Sequence, residues 1–424
     1  MKPKLTVLLG AGSTLNLGVT PPDVPPIGMP STDALTKGIG GMTFPAALHQ
    51  SVRILLGPDE TQLIQYDKPI SILPMIYHAL TSEFDYVDFE LILHAVEQLE
   101  PIVASTEDRR RVDRYRAVLS TFVEVNRKLD LLNDAFLFST IQPLIIAAIY
   151  RIMTGTPVKS LAKPPALHRF IRNLEKEFLL GVFTLNYDDV VDGARDSWFD
   201  GFTRPVEQSP GGRVWSANGF DARHFNNWLE ASEPLLVHLH GSVRFGYLRG
   251  EFGTGKYSDS QAALESVEGI HVGDRYSAGQ IVSASPIISG LSKPAKLVHN
   301  PEPFGYYYRA FIDSVLGSER LLVIGYGGRD DHINVWLEQF AKNHAEKRKV
   351  VWICKLDGSI VGERTDEKEL INLLAGQGGF RESLNYDKKS AKKFQTCGAL
   401  GLVPSGFPVS EETEAEIMEF LRES

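Results

Sequence analysis

Four short apolar runs in this sequence of 424 residues each end in a polar or glycine-rich turn. Ligands of open parallel sheets bind beyond the carboxyl ends of the strands, so chemistry is expected at such turns. Each turn alone is commonplace, but the four together predict one ligand site. The turns are Gly10-Ala11-Gly12-Ser13, Asn186-Tyr187-Asp188, His240-Gly241-Ser242 and Gly325-Tyr326-Gly327-Gly328.

The first turn is typical of a strand that leads into a phosphate-binding helix N-terminus. The apolar run Leu5–Leu9 enters it directly, and Gly10 and Gly12 open it. A dehydrogenase fingerprint, G-x-G-x-x-G, would need a third glycine three residues later, whereas the next glycine here is Gly18. We therefore expect a nucleotide site that is not of the dehydrogenase type.

The second and third turns carry an amide and an imidazole. Asn186 follows its strand closely, although asparagine is also a common turn residue that bonds its own backbone. Asp188 has the alternative role of capping the next helix. An imidazole titrates near neutral pH, which makes His240 a general-base candidate at the ligand edge, beside the open backbone of Gly241. His238, inside the strand, is expected to be a hydrogen-bonded core histidine.

The apolar runs alternate with helical patterns, which predicts an α/β fold with a Rossmann-like, doubly wound parallel sheet. A large helical module is predicted after the first strand. The expected domains are residues 1–32 and 178–408 for the sheet, 33–177 for the helical module and 409–424 for a C-terminal helix. The predicted strands are Leu5–Leu9, Phe178–Thr184, Leu235–Leu239, Leu321–Ile324 and Val350–Cys354, and residues 241–300 read as loop-rich.

Two other patterns resemble ligand sites, but neighbouring residues argue against both. Gly250–Lys256 fits G-x-x-x-x-G-K, but Tyr257 replaces the Ser or Thr that Mg²⁺ needs, and we interpret the segment as a mobile surface loop. Asp330, Asp331 and His332 are adjacent in the sequence, yet such neighbours need not share a face. They are expected to start the next helix, and no metal site is predicted.

Composition restricts the class of protein. The formal net charge of −9 argues against a protein that coats nucleic acid. The two cysteines, Cys354 and Cys397, cannot form a four-ligand zinc site alone, and they favour a reduced chain in the cytoplasm. No apolar run has the length of a membrane span.

Taken together, the strand ends resemble the sirtuin family. That family has a GAG-Ser turn, here Gly10 to Ser13, and a Gly-x-Pro element, here Gly28-Met29-Pro30. Its T-x-N-x-D motif matches Thr184 to Asp188, its catalytic H-G matches His240-Gly241, and its late glycine turn is similar to Gly325-Tyr326-Gly327. The matches occur in order and span most of the chain.

One departure from the family narrows the resemblance. Protein deacylases of this family carry a zinc ribbon with four cysteines, which two distant cysteines cannot build. A long helical block stands in its place. This pattern is similar to bacterial sirtuin-like NADases of anti-phage defence, and the segment Asp85–Glu90 also resembles that branch.

The resemblance implies that NAD⁺ is a substrate, with no zinc, and that the bond between nicotinamide and ribose is cleaved. Asn186 would fix water or ribose hydroxyls, and His240 would accept a proton. Asp188 would orient the pocket. The implied cofactor-binding residues are Gly10, Ala11, Gly12, Ser13, Thr14, Gly28, Pro30, Thr184, Asp188, Gly241, Gly325 and Tyr326.

The resemblance also implies partners, because uncontrolled loss of NAD⁺ would kill the host cell. A homo-oligomer and a HerA-type hexameric ATPase are expected, without specific nucleic acid or membrane contacts. The alternative is a non-catalytic sensor that binds NAD⁺ or ADP-ribose and gates a partner ATPase or nuclease. Deacylase or ADP-ribosyl transferase activity is a third possibility.

Overall fold

A computed structural model shows a mixed α/β fold built on a seven-stranded sheet. It describes residues 2–17, 80–82, 87, 89–95, 145–147, 149–154, 163–208, 214–248, 253–268, 286–289, 293, 297, 301–355, 374 and 394–423. The strands with described bounds are β1 (Lys4–Leu9), β2 (Leu179–Thr184), β3 (Phe202–Gln208), β4 (Trp215–Phe220), β5 (Leu235–His238), β6 (Phe245–Tyr247), β7 (Thr254–Tyr257), β8 (Arg320–Ile324), β9 (Lys349–Ile353), β10 (Gln395–Cys397) and β11 (Leu400–Val403).

The large sheet has the order β10-β11-β9-β8-β1-β2-β5. All its pairings are parallel except that of β10 with β11. The five strands predicted from apolar runs are confirmed, each to within one residue at either end. Strands buried on both faces read as continuous apolar runs, which is why the sequence revealed them.

The strand order reverses beside β1. From β1 the chain adds β2 and β5 on one side, and it then returns to place β8 and β9 on the other. The turns after β1 and β8 therefore diverge at a topological switch point, where ligands of open α/β sheets bind.

Helices cover both faces of the sheet. The helices of eight or more residues with described bounds are α1 (Ala166–Glu177), α2 (Ser260–Glu268), α3 (Tyr306–Gly317), α4 (Asp331–His344) and α5 (Glu411–Arg422). Shorter helical segments are Ala11–Ser13, Val191–Ala194, Ala222–Phe225, Trp228–Ala231, Pro301–Gly305 and Ala345–Lys347. The predicted C-terminal helix is thus confirmed.

The two faces of β1 pack into separate hydrophobic clusters. Val7 and Leu9 belong to a cluster that also contains side chains of α1 and α5. Leu8 points the other way, into a cluster with side chains of α3 and α4. Alternate residues of one strand face opposite sides, so β1 is buried by both helical layers.

A second sheet, which the sequence analysis did not predict, has the order β3-β4-β7-β6 and is antiparallel throughout. Strand β7 includes Lys256, which is largely buried. The interpretation of Gly250–Lys256 as a mobile surface loop is therefore wrong for its described end. The polar and glycine residues of β7 form no apolar pattern that would predict a strand. Its burial comes from the neighbouring strands and from α2.

Most of the described residues between positions 33 and 177 are helical. The helical ones are residues 80–82, 89–95, 145–147, 149–154 and α1. The side chains of Phe89, Ile92 and Leu93 are buried. Most of the predicted module lies outside the described residues, so the module and the domain boundaries stay predictions. Among the helices that the structure describes, none is long and apolar enough to cross a membrane.

Candidate functional site

The four predicted turns meet at one edge of the large sheet. Leu9 pairs in register with Thr184 on one side and with Ile324 on the other, and Thr184 pairs with His238. These four residues form a row across β8, β1, β2 and β5. Every predicted site residue with a described position lies in this row or shortly beyond it.

The two glycine turns pack directly against each other. Gly325 has φ +65°, and a Cβ on it would lie 2.3 Å from the carbonyl carbon of Gly12. A Cβ on Gly10 would lie 2.6 Å from the Gly325 oxygen. Glycine is required at these positions because two backbones approach without room for a side chain.

The first turn differs from the expected helix N-terminus. It is a single 3₁₀ turn, Ala11–Ser13. The amides of Gly12 and Ser13 already donate to the carbonyls of Gly325 and Gly10. The turn therefore offers a phosphate a smaller dipole and fewer free amides than the expected helix N-terminus would. Ala11 itself is exposed.

Asn186 and Asp188 are tied to the first turn by side-chain hydrogen bonds. The Asn186 Nδ2 group lies 3.2 Å from both Ser13 Oγ and Thr14 Oγ1. Thr14 Oγ1 donates to Asp188 Oδ2 at 2.8 Å, and the Val190 amide donates to Asp188 Oδ1 at 3.1 Å. The Asn186 backbone amide donates to Thr184 Oγ1. The side chains of Thr184, Asn186 and Asp188 are all buried.

His240 lies beyond the end of β5, where its backbone turns sharply. Gly241 has φ +92°, and a Cβ on it would lie 2.4 Å from the Pro286 oxygen. The His240 Nε2 atom is 3.3 Å from Nε2 of His332 and 3.9 Å from Oδ1 of Asp330. The carbonyl of Leu185, the residue before Asn186, hydrogen-bonds the same imidazole. Asn186 and His240 thus lie beyond the ends of adjacent parallel strands, each two residues after the paired positions Thr184 and His238.

A lysine joins the imidazole cluster to the helical segment 89–95. Lys293 Nζ lies 2.6 Å from Asp330 Oδ1 and 2.9 Å from Glu90 Oε2. Glu90 also accepts a 3.2 Å hydrogen bond from the hydroxyl of Tyr187. The chain of contacts connects Tyr187, beside Asn186, with the neighbours of His240.

Burial and these charges set the protonation of the site. Burial, and then the Lys293 ammonium, lower the pKa of His240 well below its usual value. Burial likewise lowers the pKa of His332 to about 4. Burial opposes ionisation of Asp330, but Lys293 overcomes it and brings that pKa to about 2. At neutral pH the site therefore contains two neutral imidazoles beside an ion pair.

Burial acts in the opposite direction on Asp188. It raises the pKa of this carboxyl to about 6, although the hydrogen bonds from Thr14 and Val190 favour the charged form. Asp188 is thus a carboxylate that titrates within reach of physiological pH, next to the amide of Asn186.

Asp330 and His332 have the helix-starting role that the sequence predicts. Asp330 is the N-cap of α4, and Tyr326 Oη lies 2.7 Å from Asn334 Oδ1 within the same helix start. The same helix start also brings Asp330 and His332 to His240, 90 or more residues earlier in the chain. Their position just after a glycine turn at a predicted strand end indicated in the sequence that they lie near the site. Lys293 and Glu90 do not follow a predicted strand end, although Glu90 ends the segment Asp85–Glu90 that resembles the NADase branch.

His238 is a core histidine, as predicted. Its Nε2 lies 2.8 Å from Asp192 Oδ2. Lys256 Nζ contacts both Asp192 Oδ1, at 2.7 Å, and Asp200 Oδ2, at 2.8 Å. This buried network joins β5 to the second sheet, and Lys256 serves there rather than in a phosphate-binding loop.

Gly28 and Pro30, the remaining predicted site residues, lie outside the described residues. Neither the protein-family models nor the curated proteins searched with this sequence contain a match to it.

Proposed function

We propose that this chain is an NAD⁺ glycohydrolase with a Rossmann-like catalytic domain, and that it hydrolyses the bond between nicotinamide and ribose. One observation carries the proposal. The Asn186 amide and the His240 imidazole extend from the ends of adjacent parallel strands, each two residues beyond the paired positions Thr184 and His238. Asn186 also contacts the turn after β1, and that turn interlocks with the turn after β8 at the switch point of the sheet.

The protonation of His240 suits a general base. A base must be neutral before it accepts a proton, and the lowered pKa of His240 keeps the imidazole neutral at pH 7. The nicotinamide leaving group is already cationic in NAD⁺ and needs no acid. The demands on the protein are therefore to hold the ribose and to deprotonate an incoming water.

Asn186 is oriented for the complementary task. Its Nδ2 group faces Ser13 and Thr14, which turns Oδ1 away from these hydroxyls. An amide oxygen held in this way can accept a hydrogen bond from water or from a ribose hydroxyl. Asp188 supports the arrangement because it fixes Thr14. Positioning of this kind, together with proton transfer, accounts for several orders of magnitude in rate.

The dinucleotide would lie across the turns after β1 and β8. Gly10, Gly12 and Gly325 would shape this surface through their close packing, and Ala11 and Tyr326 would flank it. In the biological role that the resemblance implies, the enzyme depletes NAD⁺ in anti-phage defence. It would act as a homo-oligomer whose activity depends on a HerA-type hexameric ATPase.

The test is loss of NAD⁺ and release of nicotinamide by the full chain, followed by liquid chromatography, alone and with the product of the neighbouring gene. Asn186→Ala and His240→Ala are expected to lower the rate by about 100-fold or more. The exposed residues Asn226 and His224 provide matched controls, and Asn226→Ala and His224→Ala should retain the wild-type rate.

Three outcomes would contradict the proposal. Equal rates in wild type, Asn186→Ala and His240→Ala would show that Asn186 and His240 do not catalyse the reaction. Tight binding of NAD⁺ or ADP-ribose without turnover, in the presence of the partner as well, would favour a sensor. Nicotinamide release that strictly requires a protein acceptor would instead indicate a transferase or deacylase.

A further inference from the structure

The atoms around His240 Nε2 form a set of electron-pair donors from distant parts of the chain. His240, Asp330 and His332 each offer one ligand atom, and these atoms all lie within 4.8 Å of one another. The two Nε2 atoms are 3.3 Å apart. Two ligand nitrogens at the usual Zn–N length in a tetrahedral site are separated by about 3.3 Å, so the imidazoles already have the spacing of a zinc site.

The second hydrogen bond of His240 fits the same role. The Leu185 carbonyl hydrogen-bonds this imidazole and must accept from a ring N–H. A neutral imidazole has one N–H, and this carbonyl accepts it, so the other ring nitrogen has a lone pair. Histidines that bind metals commonly donate their other N–H to a backbone carbonyl, which fixes the ring orientation.

Charge in the cluster also permits a cation. Lys293 is shared between the carboxylates of Asp330 and Glu90, at 2.6 Å and 2.9 Å. The two carboxylates and one ammonium sum to one negative charge. Lys293 can remain on Glu90 while Asp330 turns an oxygen toward an ion.

We propose that His240, His332 and Asp330 form a binding site for one divalent transition-metal ion, of which Zn²⁺ is the best match. Two imidazoles and one carboxylate are a three-ligand zinc set that leaves a fourth position for water. Hard cations such as Mg²⁺ prefer all-oxygen sites and are excluded by the same ligands. The bound ion occupies the lone pair of His240 and thereby inhibits NAD⁺ hydrolysis, a consequence that rests on the proposed function.

The binding test uses Co²⁺, which replaces Zn²⁺ and absorbs visible light strongly when four-coordinate. The full chain, without an affinity tag, is freed of metal by a chelator and titrated with Co²⁺. Wild type should show a visible band that saturates at one ion per chain. His332→Ala should lose the band or bind at least about 10-fold more weakly. His224→Ala, which removes an exposed histidine, should match wild type.

A missing band in wild type, or an unchanged band in His332→Ala, would overturn the site. Circular dichroism of each variant separates loss of a ligand from loss of folding. Where His332→Ala fails to fold, His332→Gln supplies the same comparison with a side chain of similar reach.

The inhibition test is separate. Zn²⁺ should inhibit NAD⁺ hydrolysis by wild type, and His332→Ala, compared with its own zinc-free rate, should need at least about 10-fold more Zn²⁺. Equal inhibition of both proteins would overturn the inhibitory role. A His332-dependent Co²⁺ band in a chain that never consumes NAD⁺ would leave the metal site standing and would count against the proposed function alone.

Discussion

Thr14 Oγ1 donates a 2.8 Å hydrogen bond to Asp188 Oδ2, which joins the turn after β1 to the turn after β2 across 174 residues of sequence. Asp188 is buried, and burial raises its pKa to about 6. The contact therefore places a titratable group between two parts of the candidate site and makes stability there depend on pH.

We predict that Asp188 destabilises the fold as the pH rises from about 4 to above 6. An unfolded aspartate has a pKa of about 3.9, below the folded value, so the folded state binds this proton more tightly. The contribution of the group to stability is fully present below about pH 3.9 and is lost as the pH rises through about 6, by about 3 kcal/mol in total.

The measurement is the melting temperature of wild type and Asp188→Asn between pH 4 and pH 8. The melting temperature of Asp188→Asn minus that of wild type should increase as the pH rises, because asparagine cannot ionise. A constant difference over this range would contradict the raised pKa.

Gly325→Ala should destabilise the chain severely. Its positive φ disfavours any L side chain, and the added Cβ would meet the Gly12 backbone at 2.3 Å. We expect a loss of at least about 2 kcal/mol, measured by urea unfolding with tryptophan fluorescence.

Gly317→Ala is the matched control for that change. Gly317 ends α3, and nothing lies within 4 Å of its added Cβ. We expect this variant to be unchanged or up to about 1 kcal/mol more stable. Equal effects of the two substitutions would mean that the glycine turns do not interlock as described.

Lys256→Met should cost about 3–5 kcal/mol of folding free energy, because it leaves the buried carboxylate of Asp192 and the half-buried carboxylate of Asp200 without their shared cation. Lys342→Met removes an exposed lysine that pairs with Glu338 at 3.9 Å, and it should change stability by less than about 1 kcal/mol. Urea midpoints of both variants check the prediction. A mild Lys256→Met phenotype would show that this lysine is hydrated.

Lys293→Met should shift the pH dependence of NAD⁺ hydrolysis. After burial, the Lys293 ammonium is the largest influence that lowers the pKa of His240. Its removal also leaves Asp330 and Glu90 uncompensated, which favours the imidazolium. If His240 is the base, the acid limb of kcat/KM should move to higher pH in this variant. Profiles of kcat/KM against pH for wild type, Lys293→Met and Lys342→Met measure the shift. An acid limb that does not move in Lys293→Met would show that His240 is not the base.

The sequence predicted much of the large sheet and little of the small one. Strand β8 is apolar from Leu321 to Ile324, where the residues are buried, because both of its faces are covered. Strand β4, Trp215–Phe220, alternates exposed and buried positions and contains Asn218 and Gly219, so its short pattern is ambiguous without its neighbours. Lys256 was misread for the same reason, since a local motif does not report which carboxylates surround it.

By itself, the sequence determined which segments are buried strands and which polar residues follow them, because burial on both faces leaves a continuous local pattern. Only the tertiary structure decided that His240 meets His332 and Asp330, and that Lys293 connects them to Glu90. Those contacts depend on how the chain is arranged around the sheet, which brings together residues as distant as Glu90 and Lys293, and no local pattern encodes that arrangement.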